Sequence, residues 1–244
     1  MSTIAKVFTA APIGFDGSVV EVESDTARGL PGMQIVGLGN KAIDEAKERV
    51  KSAISNSMLE YPSKRIVINL APAELPKDGT HYDLPIALAI LLSSKQLAQT
   101  NVADSLFAGE LALDGSIRPT SGAISIAEIA RKAGIKTVYL PSKNAEQASL
   151  VPDITIIPVD SLKQLYLHLK KDIAPVRLAP SFTQQDTPET ALDDVLGQEQ
   201  AKRALIIAAA GHHNLLLSGT PGAGKSMLAK ILPGLLPPLS PDEQ

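Results

Sequence analysis

Short apolar runs of strand length alternate with stretches of helical periodicity through the first 170 residues. Residues 19–22 and 34–36 predict strands, and 65–70 predicts a buried one rich in isoleucine and valine. Between them Ile43, Ala46, Val50, Ile54 and Met58 recur on one helical face. The spacing predicts a helix from Asn40, its N-cap, to about Met58, with Glu45 and Arg49 four apart and able to pair on its surface. Residues 83–92 are apolar almost all round, the pattern of a buried helix, and Pro85 lies early enough that its missing N–H costs no hydrogen bond.

Further on, 106–113 predicts a strand that turns at Asp114-Gly115 and returns through Ile117, an Asp-Gly pair being a strong hairpin signal. Helices at about 124–132, 144–150 and 162–169 alternate with strands at 137–140 and 154–158, which favours a parallel ladder; Gly134 stands where a helix would end. Periodicity fails over 171–192, where Pro175, Pro180 and Pro188 are spaced by Ser181, Thr183, Gln184, Gln185, Asp186 and Thr187. The pattern predicts a mixed α/β domain over 1–170, a linker over 171–192 and the start of a second domain over 193–244, with no internal repeat.

Composition changes this picture little. Among 244 residues there is no cysteine, which removes disulfides, cysteine-held zinc and thiol chemistry and fits a cytoplasmic setting. Residues 1–10 have no apolar core of signal-peptide length, and no run approaches the ~18 apolar residues of a membrane span. Net charge is −3, with 19 basic and 19 acidic residues up to position 180 and 4 and 7 beyond it. Aromatics are 3%, too few for a base-stacking platform, so a nucleic-acid role needs another argument. Arg28, Lys64, Arg65 and Arg118 are basic residues near predicted strand ends; singly they read as surface charge, and convergent they would make a phosphate-contacting patch that net charge does not reveal. His81, His168, His212 and His213 have no metal-ligand spacing.

The chemistry is concentrated at Gly219-Thr220-Pro221-Gly222-Ala223-Gly224-Lys225-Ser226. An apolar stretch at 214–218 predicts a strand before it, and a helix from Lys225 to about Leu232 follows. In such a P-loop the glycines let backbone N–H groups approach phosphates at a helix N-terminus. Lys225 would reach the terminal phosphates of ATP, and the Ser226 hydroxyl would ligate Mg2+.

Upstream, the segment Asp194 to Leu205, followed by Ala208-Ala209-Ala210-Gly211-His212-His213-Asn214, resembles the entry segment of AAA+ ATPases of the magnesium-chelatase branch. The resemblance implies that Val195, Leu196, Gly197 and Gln198 pack near the adenine. The family more often has a second glycine where His212 stands. Three further stretches resemble the ComM/YifB family of that branch. They are Gly29-Leu30-Pro31-Gly32-Met33-Gln34-Ile35-Val36-Gly37-Leu38, the run from Val67 to Gly79 with Asp83-Leu84-Pro85 after it, and Gly109-Glu110 through Gly115 to Pro119. At Gly39-Asn40 the family more often shows Pro-Asp.

This resemblance implies a Lon-protease-like N-terminal domain without the protease. Lon-type enzymes need a serine and a lysine acting as a pair. The aligned positions hold His81 and Ile124, neither of which can replace the missing group. Gly79, Gly109 and Gly115 then read as fold-making turns. Lys77 and Asp78 read as a solvated turn, with a DNA or partner contact as the alternative. The implied whole is a homo-hexameric, ATP- and Mg2+-dependent DNA helicase driving branch migration in recombination of imported DNA. A chelatase-type ATPase serving a protein or tetrapyrrole partner, and a non-enzymatic docking module, are the alternatives. The acidic, sensor and arginine-finger groups that such an ATPase needs are expected beyond Gln244, so 1–244 alone is expected not to turn over ATP. Residues after the linker are expected to pack poorly without the sheet that the P-loop strand joins.

Overall fold

A seven-stranded sheet organises the first part of the computed structural model, which describes residues 4–14, 16–37, 41–174 and 192–237. Its strands are β1 (Ala5–Ile13), β2 (Asp16–Ala27), β3 (Gly32–Val36), β4 (Arg65–Ala71), β5 (Ser105–Phe107), β8 (Thr137–Pro141) and β9 (Thr155–Val159), in the order β3-β4-β2-β1-β5-β8-β9. The β2 pairings with β1 and β4 are antiparallel; the other four are parallel. The fold class is mixed α/β, as the sequence pattern predicts.

The two halves of the sheet are built differently, and the side-chain pattern shows why. In β8 and β9, Val138, Leu140 and Ile156 enter one core while Tyr139, Ile157 and Val159 enter the other, so both faces are covered. In β4, Ile66, Ile68 and Leu70 are fully buried while the alternate positions face outward, where Asn69 Nδ2 donates to Glu23 at 2.8 Å. One face is covered by α1 (Lys41–Asn56), α2 (Asp83–Ser93) and α5 (Leu162–Leu169). The other is covered by α3 (Ala123–Lys132) and α4 (Ser142–Ala148). The helix α2 is buried on every side from Asp83 to Leu92, as its all-round apolar composition requires.

Element positions follow the sequence pattern with three differences. The predicted hairpin is narrower: Glu110–Leu111 (β6) pairs with Ile117–Arg118 (β7) around the Asp114-Gly115 turn, whereas Leu106 belongs to the main sheet. Strand β1 has no counterpart among the predicted elements. It lies in mid-sheet, and from Thr9 to Ala11 every side chain is buried, so alternation is lost. Its alanines also carry little strand preference. Lastly, 214–218 forms no strand, because a strand exists only as part of a ladder and no described strand pairs with it. The proposed Asn40 cap, the Gly39-Asn40 turn and most of the predicted linker, 175–191, lie outside the described residues.

Two compact units divide the chain, Met1–Ser181 and Phe182–Gln244. In the second, α6 (Glu199–Gly211) and α7 (Lys225–Leu235) pack through Leu205, Leu228 and Ile231 with Val195. Much apolar surface there stays open: Leu216 is 90% exposed, and Ile206 and Ile207 are about half exposed. Among the described residues no helix is long and apolar enough to cross a membrane.

One ionic contact ties the first unit together. The Asp83 carboxylate is completely buried at the start of α2. It accepts a bidentate pair from Arg49 on α1, Nε at 2.7 Å and Nη2 at 3.0 Å, and a third hydrogen bond from the Leu111 amide at 3.2 Å. Burial pushes the Asp83 carboxyl above the ordinary range while Arg49 opposes that shift, and Asp83 in turn holds the Arg49 guanidinium firmly protonated. Removing Arg49 leaves a buried charge without its partner. Arg49→Ala is therefore expected to destabilise the unit by about 3–5 kcal/mol, read by urea unfolding; a loss under about 1 kcal/mol, the range of an exposed pair, would show that the contact is not a structural tie.

Candidate functional sites

Two places in the molecule concentrate functional side chains, one in each unit. In the second unit the loop from Gly219 to Gly224 leads directly into α7. Gly222 and Gly224 have φ of 82° and 78°, and a Cβ built on either meets nothing within 4 Å. These left-handed bends, open to solvent on the side a Cβ would occupy, are a shape that non-glycine residues resist. The first N–H groups of α7 have no acceptor within the helix and carry its positive dipole end. Lys225 extends back along the loop, its Nζ donating to the carbonyls of Gly219 and Thr220 at 2.8 Å each. Ser226 is exposed on the first turn beside it.

The entry segment is split by its packing. Val195 is buried against Leu228 and Ile231 of α7, while Leu196 is 93% exposed. Gly197 and Gln198 take left-handed conformations, and Gln198 Nε2 donates to the Ala223 carbonyl at 3.3 Å. A segment distant in sequence is thereby pinned to the glycine-rich loop. Hard oxygen and ammonium groups at a helix N-terminus suit a magnesium-bound triphosphate, so the residues present fit ATP and Mg2+. Among the described residues no group of three or more His, Cys, Asp or Glu is placed to hold a metal ion by itself.

The first unit has a polar cleft of about 430 Å³ lined by Asp78, Thr80, His81, Glu110, Thr120 and Ser121 among others. His81 is 4% exposed, and its Nε2 donates to the Ala10 carbonyl of β1 at 2.9 Å. This fixes the proton on Nε2 and leaves Nδ1 as an acceptor. Burial lowers the His81 pKa, with the Ala10 contact acting in the opposite direction. Gly79, at φ 108°, is kept small by the imidazole: a Cβ there would stand 2.9 Å from His81 Nδ1. Glu110 joins the opposite wall, accepting from Thr80 Oγ1 at 2.5 Å and pairing with Arg118 at 3.2 Å. Ile124 lies on α3, packed against the second core, and is not among the residues lining the cleft. The cleft thus holds a buried histidine, and Ile124 stands outside its lining.

Lys77 corrects the sequence reading. It is not a solvated turn residue but is 1% exposed, with Nζ donating to the Pro72 carbonyl, and burial lowers its pKa. Its long apolar stem allows the side chain to be buried, which an adjacent Lys-Asp pair does not reveal. The part played by Thr80, Thr120 and Ser121 was likewise invisible in sequence, since isolated hydroxyls carry no spacing signal.

With this geometry in view, comparison with known proteins places the chain. The family description "Subunit ChlI of Mg-chelatase" matches residues 22–144, and "Magnesium chelatase, subunit ChlI" matches 191–244. The chain belongs to the magnesium-chelatase ChlI family of AAA+ proteins, and within it to the ComM/YifB group. It is 44% identical over 241 residues to the uncharacterized protein YifB of Salmonella typhimurium, covering 99% of this chain and 47% of that one. It is 40% identical over 245 residues to the competence protein ComM of Haemophilus influenzae, covering 98% and 48%. The chain therefore spans about half the length of these curated relatives. A Lon protease of Mycolicibacterium smegmatis is 26% identical over 172 residues, or 68% of this chain and 21% of that one.

The buried imidazole has a pH consequence. Unfolding exposes His81 to protonation near its ordinary value of 6.5, whereas the folded state resists it. The unfolded state then binds more protons, so stability falls as pH drops from 6.5 toward the lowered folded value. Chemical denaturation at pH 7.5 and 5.5 is expected to show this loss in the native protein and less of it in His81→Gln; equal losses in both would assign the effect to other groups.

Proposed function

We propose that this chain carries the nucleotide-binding start of an ATP-driven motor, and that the whole protein is a homo-hexameric AAA+ ATPase acting on DNA. The observation that carries the reading is the loop of Gly219 to Ser226, with Lys225 lying along it and Gln198 tied to Ala223. In this reading the amides of the loop and first turn bind phosphate, Lys225 neutralises the terminal phosphates, and Ser226 ligates magnesium. Magnesium, when bound, draws charge from the β- and γ-phosphate oxygens. Val195 anchors the entry segment in the core, and Gly197 and Gln198 border the base.

Residues 1–170 are, in the same reading, a Lon-like module without serine–lysine chemistry, followed by a linker over 171–192 and the beginning of the ATPase domain over 193–244. The DNA substrate, and branch migration during recombination and natural transformation in the cytoplasm, rest on likeness to a protein named for competence. A chelatase-type ATPase with a tetrapyrrole or protein partner is the second reading, favoured by the family descriptions. Against it stands the extra cleft-bearing unit, which a motor subunit alone does not need.

Steady-state ATP hydrolysis by the full-length protein distinguishes them. Forked or four-way DNA is expected to stimulate turnover, a porphyrin-loaded partner is not, and an unfolded protein substrate is expected to remain uncleaved throughout. Lys225→Ala should lower turnover by about 10²-fold or more, because the fixed cation facing the transferring phosphoryl group is gone. Unchanged turnover in that variant would refute the P-loop assignment, and stimulation by the porphyrin partner alone would refute the DNA motor.

A further inference from the structure

Three of the basic residues scattered in sequence meet at one corner of the sheet. Arg65 begins β4 at the rung where three strands come together, opposite Ala27 of β2 on one side and Gly32 of β3 on the other. The connection from Arg28 to Pro31 wraps around it. Gly32 N donates to the Lys64 carbonyl at 3.3 Å, and a Cβ on Gly29 would meet the Arg65 side chain at 3.5 Å. Arg28 and Arg65 line one open cleft of about 440 Å³ with Gly29, Gly32 and Gln34.

The charges at this corner are free to meet a ligand. Among the described residues Arg28, Lys64 and Arg65 are exposed and form no ion pair, and their one side-chain hydrogen bond is Arg65 Nη2 donating to Gln34 at 3.3 Å. Several other cations of the unit are ion-paired: Lys6 with Glu21, Arg49 with Asp83, Arg118 with Glu110 and Arg131 with Glu128. Arg118, the fourth basic candidate of the sequence, pairs instead with Glu110, which lines the other cleft. Asp25, opposite Val67, is the nearest acidic residue along β2, two residues before Ala27. Leu30 is 90% exposed at its rim, an apolar side chain in solvent next to two guanidinium groups.

We propose that this corner is a contact site for the phosphodiester backbone of nucleic acid, with Arg28 and Arg65 gripping phosphates and Leu30 lying against sugar or base. Planar guanidinium forks match phosphate oxygens in pairs. The glycines keep the loop backbone low, so a strand passes close over it. The site is sequence-tolerant, because nothing in it is built to read base edges. Its charge is local, which reconciles it with a unit whose acidic and basic residues balance.

The experiment is fluorescence anisotropy of single-stranded and duplex oligonucleotides with the full-length protein, without nucleotide, across a salt series. Arg28→Glu with Arg65→Glu is expected to weaken binding of the single strand at least tenfold at low salt. The slope of log affinity against log salt should fall in magnitude by about 1.4, two phosphates at roughly 0.7 each. Arg28→Lys with Arg65→Lys should retain most of the slope, and Lys132→Glu with Lys136→Glu, on another surface, should leave it unchanged. Basal ATP turnover, and circular dichroism, should match the wild type in the Glu variant, which separates loss of this contact from failure of the motor reading. Unaltered affinity and slope in the Glu variant would overturn the proposal, as would equal weakening by the Lys132 and Lys136 changes or full competition by millimolar inorganic phosphate.

Discussion

The buried Asp83 carboxylate is the contact on which the helical side of the first unit depends. Its three hydrogen bonds, two from Arg49 and one from the Leu111 amide, join α1, α2 and the β6–β7 hairpin at one point. A charge in that position is costly unless its partners are held in place, so the contact fixes geometry rather than merely adding energy. His81 and Tyr82 immediately precede Asp83, and Glu110 immediately precedes Leu111. The tie therefore also sets the two walls of the polar cleft.

How much of this was legible in sequence depended on the kind of signal. Helix α5 and the parallel strands β8 and β9 follow from periodicity, because a long apolar repeat has one way to be buried. Strand β1 lost its alternation through burial on both faces. The Arg49–Asp83 tie could not be read, because the spacing of Glu45 and Arg49 offers a local partner while the stronger one lies 34 residues away. Glu45 does reach Arg49, but only at 3.9 Å and largely exposed. Distance in sequence likewise concealed the meeting of Arg28 and Arg65, which depends on the sheet register.

The glycine-rich loop was the reverse case. Its residues are contiguous, so local shape is readable from them: Gly222 and Gly224 are left-handed, and Lys225 folds back onto the carbonyls of Gly219 and Thr220. The strand before it was overread, because local preference cannot make a ladder without a neighbour. Lys77 was misread for a related reason: its polar end identifies it as surface, yet a four-carbon stem can be core.

The central claim is that the second unit is a nucleotide site whose loop shape comes from left-handed glycines. Titrating a fluorescent ADP analogue into full-length protein, with and without Mg2+, tests it most directly. The account predicts saturable, magnesium-dependent binding at one site per subunit, displaced by ATP and lost in Gly224→Val, where a β-branched side chain cannot take a φ of 78°. Absence of binding by the wild type, or undiminished binding by Gly224→Val, would contradict it.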